Sequence, residues 1–388
     1  MIRIAAVFIL FFAFHTPVAL AAEPDVSVFL RHDEASTTHI DYRPLDTVLR
    51  STVWRAGPSV RQVSRNRRRT TGTRMSIANP NRSWLEGNRV FYHLLSDNQI
   101  TAISDYRKGL EKMFDDRDFG ALKRNEQLAY WLNLYNITVY EHIARRYPIV
   151  LLRRFHLGTR GKPGLWDQKL LRVAGVPLSL NDIEQKILIP LYNDPMVLYG
   201  LFQGAVGGPN IRSRAFYGDN VHKQLRKNAV EYVNSIRGVH KKGDNASVSL
   251  IYGWGRALFP DWEADLRAHM LSFADGETAA IVNAAARLVP DYFDWYIADL
   301  YNGRPKWTPM YANTVTDLSG VVQGMENELP PHVRMYLDNL RIKFETMEGG
   351  GRGRVFIEEI VNREDKDEGA AKPATKPATK PAPPTVPK

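Results

Sequence analysis

The sequence predicts an α+β fold, a single central domain in which helices surround a small mixed or antiparallel sheet. Three observations support this prediction: helical periodicity in the middle of the chain, short strand-like segments between the helices, and no regular strand–helix repeat. Alternating element types without that repeat argue against a doubly wound parallel sheet. A hydrophobic content of 44% in 388 residues is enough for a substantial core.

Residues 1–22 have the pattern of a secretory signal peptide. Arg3 precedes an apolar run from Ile4 to Phe14, and Ala19-Leu20-Ala21 matches a small-residue cleavage site. The run is too short to span a bilayer comfortably, and no later stretch offers a transmembrane span after signal removal. We therefore expect an exported protein, located in the periplasm or, alternatively, secreted. An uncleaved membrane anchor is the other interpretation of this segment.

The chain contains no cysteine. A protein without thiols neither gains from disulfides nor mispairs in an oxidising compartment, which agrees with export. Thiol nucleophiles and thiolate metal sites are excluded for the same reason.

Residues 23–95 are predicted to form a basic N-terminal extension. Its stretch RQVSRNRRRTTGTR has no aromatic side chain to stack on bases, so it carries no specific nucleic-acid signature. With a formal net charge of +10, the expected partners are an anionic envelope polymer or an envelope protein. A solvated loop is the structural alternative. The candidate contacts to a polyanion are Arg61, Arg65, Arg67, Arg68, Arg69 and Arg74.

Residues 96–302 are predicted to form the core domain, which begins with two helices. Ser96 or Asp97 is placed to cap the first helix, and Ile100, Ile103 and Leu110 follow near helical spacing. The second helix contains LAYWLNLYNITVYEHI, which is apolar on nearly every side and therefore predicted to be buried. It should end before Pro148, because the residue preceding a proline disfavours helix.

The later part of this domain alternates strands and helices. VAGVPLSLNDIEQKILIPL predicts a short strand or hairpin and then a helix capped by Ser179, with Asp182 at its third position. DPMVLYGLFQGAVGGPN predicts a buried strand that ends at a sharp Gly-Gly-Pro turn. Helices are expected over residues 220–236 and 275–290, with a strand beginning at Ser247.

The end of the chain is predicted to differ from the core. Residues 303–365 are interpreted as C-terminal additions, and residues 366–388 as a Lys/Pro/Ala tail. Such a composition cannot bury enough apolar surface to offset chain entropy, so the tail is predicted to be disordered. It is interpreted as a spacer, a basic tether or an inert solubilising segment.

Asn133 and Asn136 stand three residues apart in the apolar helix. Residues at this spacing share a helix face, and a buried amide must find hydrogen-bond partners. Two roles are open at this point. The amides either pin the backbone of an adjacent loop or line a polar cavity.

Five segments of the chain together carry a family resemblance. They are, in sequence order, QLAYWLNLYNITVY, GVPLSLNDIEQKIL, DPMVLYGLFQGAVGGPNI, VSLIYGWGRALF and DYFDWYIADLYN. These segments resemble those of domain-of-unknown-function family 547. The resemblance covers roughly residues 96–302 and implies a distantly cysteine-hydrolase-like fold, with a histidine base and a cysteine at a tight turn.

This chain departs from the family pattern at the implied catalytic positions. Gln185 stands where typical members have the histidine, Gly208 where they have the cysteine before the proline, and Gln203 where they have an earlier cysteine. Glutamine is no base at neutral pH, and glycine has no side chain. Gln185 and Gly208 are therefore interpreted as vestigial catalytic positions, and no catalytic residue is assigned.

The expected function is that of an exported cell-envelope protein, a non-catalytic binding or assembly factor built on a degenerate hydrolase-like fold. The alternative is an envelope hydrolase or acyl/peptidyl transferase with a relocated catalytic base, for which Glu184 and His222 are considered. No metal-ligand spacing and no phosphate-binding or dinucleotide motif is present, so neither a metal nor a cofactor is expected. The candidate ligand-binding residues are Asn133, Asn136, Glu184, Gln203 and Asn210.

Overall fold

The computed structural model describes residues 24–63 and 81–304, together with Val333, Tyr336, Leu337 and Leu340. It has the predicted α+β fold. The α-helices of the described ranges are α1 (Arg43–Thr52), α2 (Asp97–Lys112), α3 (Arg124–Arg146), α4 (Arg153–Leu157), α5 (Leu180–Asp182), α6 (Ile189–Tyr192), α7 (Val221–Val233), α8 (Leu250–Trp254), α9 (Trp262–Leu271) and α10 (Gly276–Ala284). A π-helical turn, Ile183–Leu188, joins α5 to α6.

The strands of the described ranges form small sheets. They are β1 (Val53–Trp54), β2 (Arg89–Val90), β3 (Leu171–Val173), β4 (Val176–Leu178), β5 (Val239–Lys242), β6 (Asn245–Ser249) and β7 (Leu288–Tyr292). β1 pairs with β2, and β3 with β4, both antiparallel. In the three-stranded sheet, β6 is antiparallel to β5 and parallel to β7. Ala174 and Gly175, both at positive φ, form the two-residue turn of the β3–β4 hairpin.

Helix α3 lies in the middle of the core. Its 23 residues include the fully buried rings of Tyr130, Trp131, Tyr135 and Tyr140. Helix α2 packs against it. A helix that is apolar on all sides needs neighbours on every side. Residues from the N-terminal, central and later parts of the described chain therefore join α3 in one hydrophobic core.

The predicted helix starts at Ser96 and Ser179 are confirmed. The Ser96 side chain accepts a hydrogen bond from the Gln99 amide, and the Gln99 side chain bonds back to the Ser96 amide. Ser179 and Asp182 form the same reciprocal arrangement at the start of α5. Each arrangement satisfies amide groups that the first helical turn leaves unpaired.

The prediction of a buried strand over residues 194–210 was wrong. The segment begins with a 3₁₀ helix, Pro195–Gly200, and the rest is irregular, with one bridge between Ala205 and Ile297. The Asp194 side chain accepts from the Met196 amide, and Pro195 holds the first helical position, so this start favours a helical turn. The apolar composition correctly indicated burial but not the backbone form.

The described part of the N-terminal extension packs into the core of the central segment. Phe29 and Tyr42 are fully buried, and they join the cluster that contains α3. Later in the chain, Tyr336 packs against Trp84, with ring centroids 5.8 Å apart. The Lys/Pro/Ala tail lies outside the described residues. Within the described ranges, no helix combines the length and apolar character needed to cross a membrane.

Candidate functional site

Both amides of helix α3 hold the backbone of neighbouring segments. Asn133 donates to the carbonyl of Phe216 (2.8 Å) and accepts from its amide (2.9 Å). Asn136 donates to the carbonyl of Gly200 (2.9 Å) and accepts from the amide of Phe202 (2.8 Å). The cavity beside the two amides has a volume of about 10 Å³, close to the minimum for one water molecule.

The Gly-Gly-Pro turn packs tightly against its surroundings. It includes Gly208, which the sequence analysis interpreted as a vestigial catalytic position. The amide of Gly207 donates to the carbonyl of Asp294 (2.9 Å). A Cβ atom added at Gly207 would lie 2.3 Å from the Asp294 nitrogen, and one added at Gly208 would lie 2.3 Å from Gln203 Oε1. The turn therefore has no room for a side chain while Gln203 occupies its observed position.

Asn210 takes part in a buried network behind this turn. Its Oδ1 atom accepts from the Asn88 amide (2.8 Å) and from Arg237 (3.2 Å). The Arg237 guanidinium also donates to the Gly208 carbonyl (2.7 Å) and pairs with Glu231. Because the Arg237 side chain is only 1% exposed, these contacts hold the turn from inside the protein.

Gln203 is buried and is linked through its main chain to His156. Nε2 of His156 lies 2.7 Å from the Gln203 carbonyl, and the imidazole stacks on Trp166 with ring centroids 4.8 Å apart. Burial lowers the pKa of His156 to about 4, although the bond to Gln203 opposes this shift. The imidazole is therefore neutral at pH 7, with its hydrogen on Nε2. As His156 is fully buried, it is not placed to take a proton from a ligand at the surface.

A cluster of four aromatic rings lies next to His156. Trp166 has ring centroids 5.0 Å from Trp254 and 5.9 Å from Trp295. Phe293 completes the cluster at 5.0 Å from Trp254 and 4.6 Å from Trp295. Trp254 and Trp295 are half-buried, so part of each indole reaches the surface. We call these four residues the tryptophan cluster.

The tryptophan cluster adjoins Gln185, one of the two positions that the sequence analysis interpreted as vestigial. Gln185 is exposed, lies in the π-helical turn, and donates to the Trp254 carbonyl (3.3 Å) and to Glu184 Oε1 (3.3 Å). Burial raises the pKa of Glu184 to about 7, and the bond from Gln185 opposes the shift. A carboxyl group with this pKa exchanges its proton near neutral pH. Turns of this type are frequent at functional sites.

The one candidate polyanion contact within the described residues is Arg61, and its guanidinium is used inside the protein. It donates to Glu277 (2.9 Å), to the Val239 carbonyl (2.9 Å) and to the Asn234 carbonyl (3.2 Å), and its side chain is 6% exposed. His222, considered as a replacement base, is exposed on α7 and lies 2.9 Å from Asn125 Oδ1. The candidates outside the described residues are Arg65, Arg67, Arg68, Arg69 and Arg74.

Sequence reasoning missed the tryptophan cluster. Trp254, Phe293 and Trp295 occur in segments that were noted only for their resemblance to the family, and Trp166 was not singled out. The available signal was the density of aromatic residues in GWGRALF and DYFDWY. Among the described residues, no group of three or more histidine, aspartate or glutamate side chains is arranged to hold a metal ion.

Comparison with known proteins identifies the family of the central segment. Residues 119–233 match DUF547, a family described as protein of unknown function, and this part of the chain belongs to it. The matched residues include α3, the π-helical turn and the Gly-Gly-Pro turn, whereas Trp254, Phe293 and Trp295 lie beyond them. No curated protein and no solved structure matches the chain.

Proposed function

We propose that this protein is an exported binding factor of the cell envelope, that it does no catalysis at the vestigial positions, and that its ligand is a glycan. The observation that carries the proposal is the partial exposure of Trp254 and Trp295 beside Gln185. The signal-like N-terminal segment supports export, which would bring the site into contact with envelope glycans.

The chemistry of the site suits a sugar ring. A pyranose has one face rich in C–H groups, which packs on an indole, while its hydroxyl groups require hydrogen-bond partners. The exposed Gln185 amide is held beside the Trp254 main chain by both of its N–H groups, so its Oε1 atom remains as an acceptor for a sugar hydroxyl. Apolar surface with a few directed polar groups is the usual composition of a small-ligand site.

The residues at and near Gly208 argue against the cysteine-hydrolase-like chemistry that the family resemblance implies. Gly208 offers no side chain, and the nearby His156 is a buried, neutral imidazole. A nucleophile requires an adjacent base that it can reach. Gly208 provides no nucleophile and Gln185 provides no base, so the two vestigial positions lack both members of such a pair.

The test is binding of the purified mature chain to peptidoglycan sacculi and to an acidic polysaccharide, at low and high salt. Trp254→Leu should weaken glycan binding by about tenfold, equivalent to about 1.4 kcal/mol, and the binding should survive high salt. Trp54→Leu is the matched control, because Trp54 is also half-buried and packs on Phe91 instead. Binding that high salt abolishes and that Trp254→Leu leaves unchanged would mean that charge alone attracts the polymer.

The second candidate function is an envelope hydrolase or acyl/peptidyl transferase with a relocated base. It is favoured by Glu184, whose pKa of about 7 suits a general acid or base. Glu184→Gln keeps the shape of the side chain and removes the proton transfer. Turnover of peptidoglycan fragments that disappears in this variant, while glycan binding persists, would establish the enzyme. Absence of turnover in both proteins supports the binding factor.

A further inference from the structure

A second cavity lies apart from the residues of the tryptophan cluster. Its volume is about 420 Å³, within the range of about 300–1,000 Å³ typical of small-molecule sites. It is bounded by the 3₁₀ helix Tyr92–Leu94, the first turn of α2 and the last turn of α3. We call it the His93 pocket.

Two buried polar atoms without hydrogen-bond partners among the described residues lie behind the wall of the His93 pocket. The Asp299 side chain is fully buried, and its Oδ2 accepts from the Tyr147 hydroxyl (3.0 Å) and the Gly303 amide (2.9 Å). Asp299 Oδ1 and His93 Nδ1 lie 3.9 Å apart, and neither has a hydrogen-bond partner among the described residues. A buried carboxylate oxygen without a donor destabilises the fold. A hydrogen bond from His93 Nδ1 to Asp299 Oδ1 would satisfy both atoms.

A hydrogen on His93 Nδ1, directed at Asp299, satisfies both groups after a small closing movement. A carboxylate that holds one nitrogen of an imidazole fixes the tautomer and leaves the other nitrogen as an acceptor. The free lone pair is then on Nε2, on a side chain that lines the cavity. The His93 ring is held in place by Tyr301, with centroids 3.9 Å apart.

The charges around the His93 pocket favour a cation. Asp97 stands at the start of α2 and Asp299 behind His93, so both contribute negative charge. Arg145, the cation of the lining, already donates to Glu141 Oε1 at 2.8 Å. Among the residues that line the pocket or contact His93, the titratable or charged ones are Tyr92, Asp97, Arg145, Tyr147, Asp299 and Tyr301.

We propose that the His93 pocket binds a small molecule carrying a primary ammonium group. The ammonium donates to Nε2 of His93 and is attracted by Asp97, while the carbon skeleton packs on Tyr92 and Tyr147. The proposal is independent of glycan binding at the tryptophan cluster.

Isothermal titration calorimetry of the full mature chain with three probes of equal length tests the charge preference. n-Pentylamine carries the ammonium group, 1-pentanol is neutral, and pentanoate carries the opposite charge. Pentylamine is expected to bind at least about tenfold more tightly than either other probe. Pentanoate binding more tightly, or no pentylamine binding at any pH, would overturn the proposal.

Variants then test the assigned residues. Asp97→Asn and His93→Gln should each weaken pentylamine binding several-fold, whereas Asp105→Asn should not. Asp105 is an exposed aspartate of the same helix outside the pocket, so it is the matched control. Equal affinity of the wild type and these variants for pentylamine would refute the assignment.

Discussion

Replacing Glu184 with glutamine is expected to stabilise the protein at alkaline pH and to leave its stability unchanged in acid. Burial raises the pKa of this carboxyl from 4.5 to about 7. Between these two values the folded protein keeps a proton that the unfolded chain has released. Folding stability therefore falls as pH rises through this window and is constant above it. Glutamine, which does not titrate, removes this loss.

The size of the effect follows from the pKa difference. A difference of about 2.5 pH units, at about 1.4 kcal/mol per unit, gives an upper value of about 3.5 kcal/mol. Urea unfolding of the wild type and Glu184→Gln should therefore show similar free energies of unfolding at about pH 4.5. At about pH 8, the variant should be more stable by up to this amount.

Two features make this comparison specific. Subtracting the two unfolding curves at each pH cancels the other titrating groups, which both proteins share. Asp105→Asn is the control for the loss of one acidic charge, because this side chain is exposed. A variant that is less stable than the wild type at about pH 8 would refute the reasoning. It would mean that the folded protein favours the ionised carboxylate through partners that glutamine cannot replace.

Four further expectations concern stability and charge. Asn136→Ala should cost about 2–4 kcal/mol in urea unfolding, because it leaves one backbone amide and one carbonyl without their side-chain partner. Gly207→Ala should lower the free energy of unfolding, measured by thermal unfolding, by about 2 kcal/mol, since the new methyl group would collide with the backbone of Asp294. Gly109→Ala, exposed on α2 with nothing within 4 Å of the added carbon, should instead gain about 0.5–1 kcal/mol. Arg61→Gln should cost about 2 kcal/mol while leaving retention on an acidic polysaccharide at low salt unchanged, because its guanidinium donates to protein groups. Loss of retention in this variant, with the fold intact, would show that Arg61 reaches the polymer.

Local signals predicted much of the fold because they depend on residues close in sequence. The caps at Ser96 and Ser179 each require a partner three residues away, and both are present. The burial of α3 followed from its composition alone. The prediction of a strand over residues 194–210 failed because apolar character indicates burial and not backbone form. Asp194 and Pro195 favour a helical turn at the start of this segment.

The candidate site was harder to predict because its contacts join distant segments. The tryptophan cluster combines rings from three parts of the chain, and no spacing rule brings Trp166 to Trp295. Arg61 appeared in a basic stretch, but its acceptors at Val239 and Glu277 are far along the chain. His93 and Asp299 are likewise separated by most of the domain. Local composition cannot indicate which distant partner a charged side chain finds.

The two asparagines of α3 have a consequence for hydrogen exchange. Amide hydrogens in irregular segments normally exchange quickly with solvent, because local opening there requires little free energy. The amides of Phe202 and Phe216, however, donate to side-chain oxygens of Asn136 and Asn133 on the central helix. Their release requires the loss of contacts with α3, so these two amides should exchange as slowly as those in the core. They would therefore report the integrity of the whole domain from positions that lie outside its regular elements.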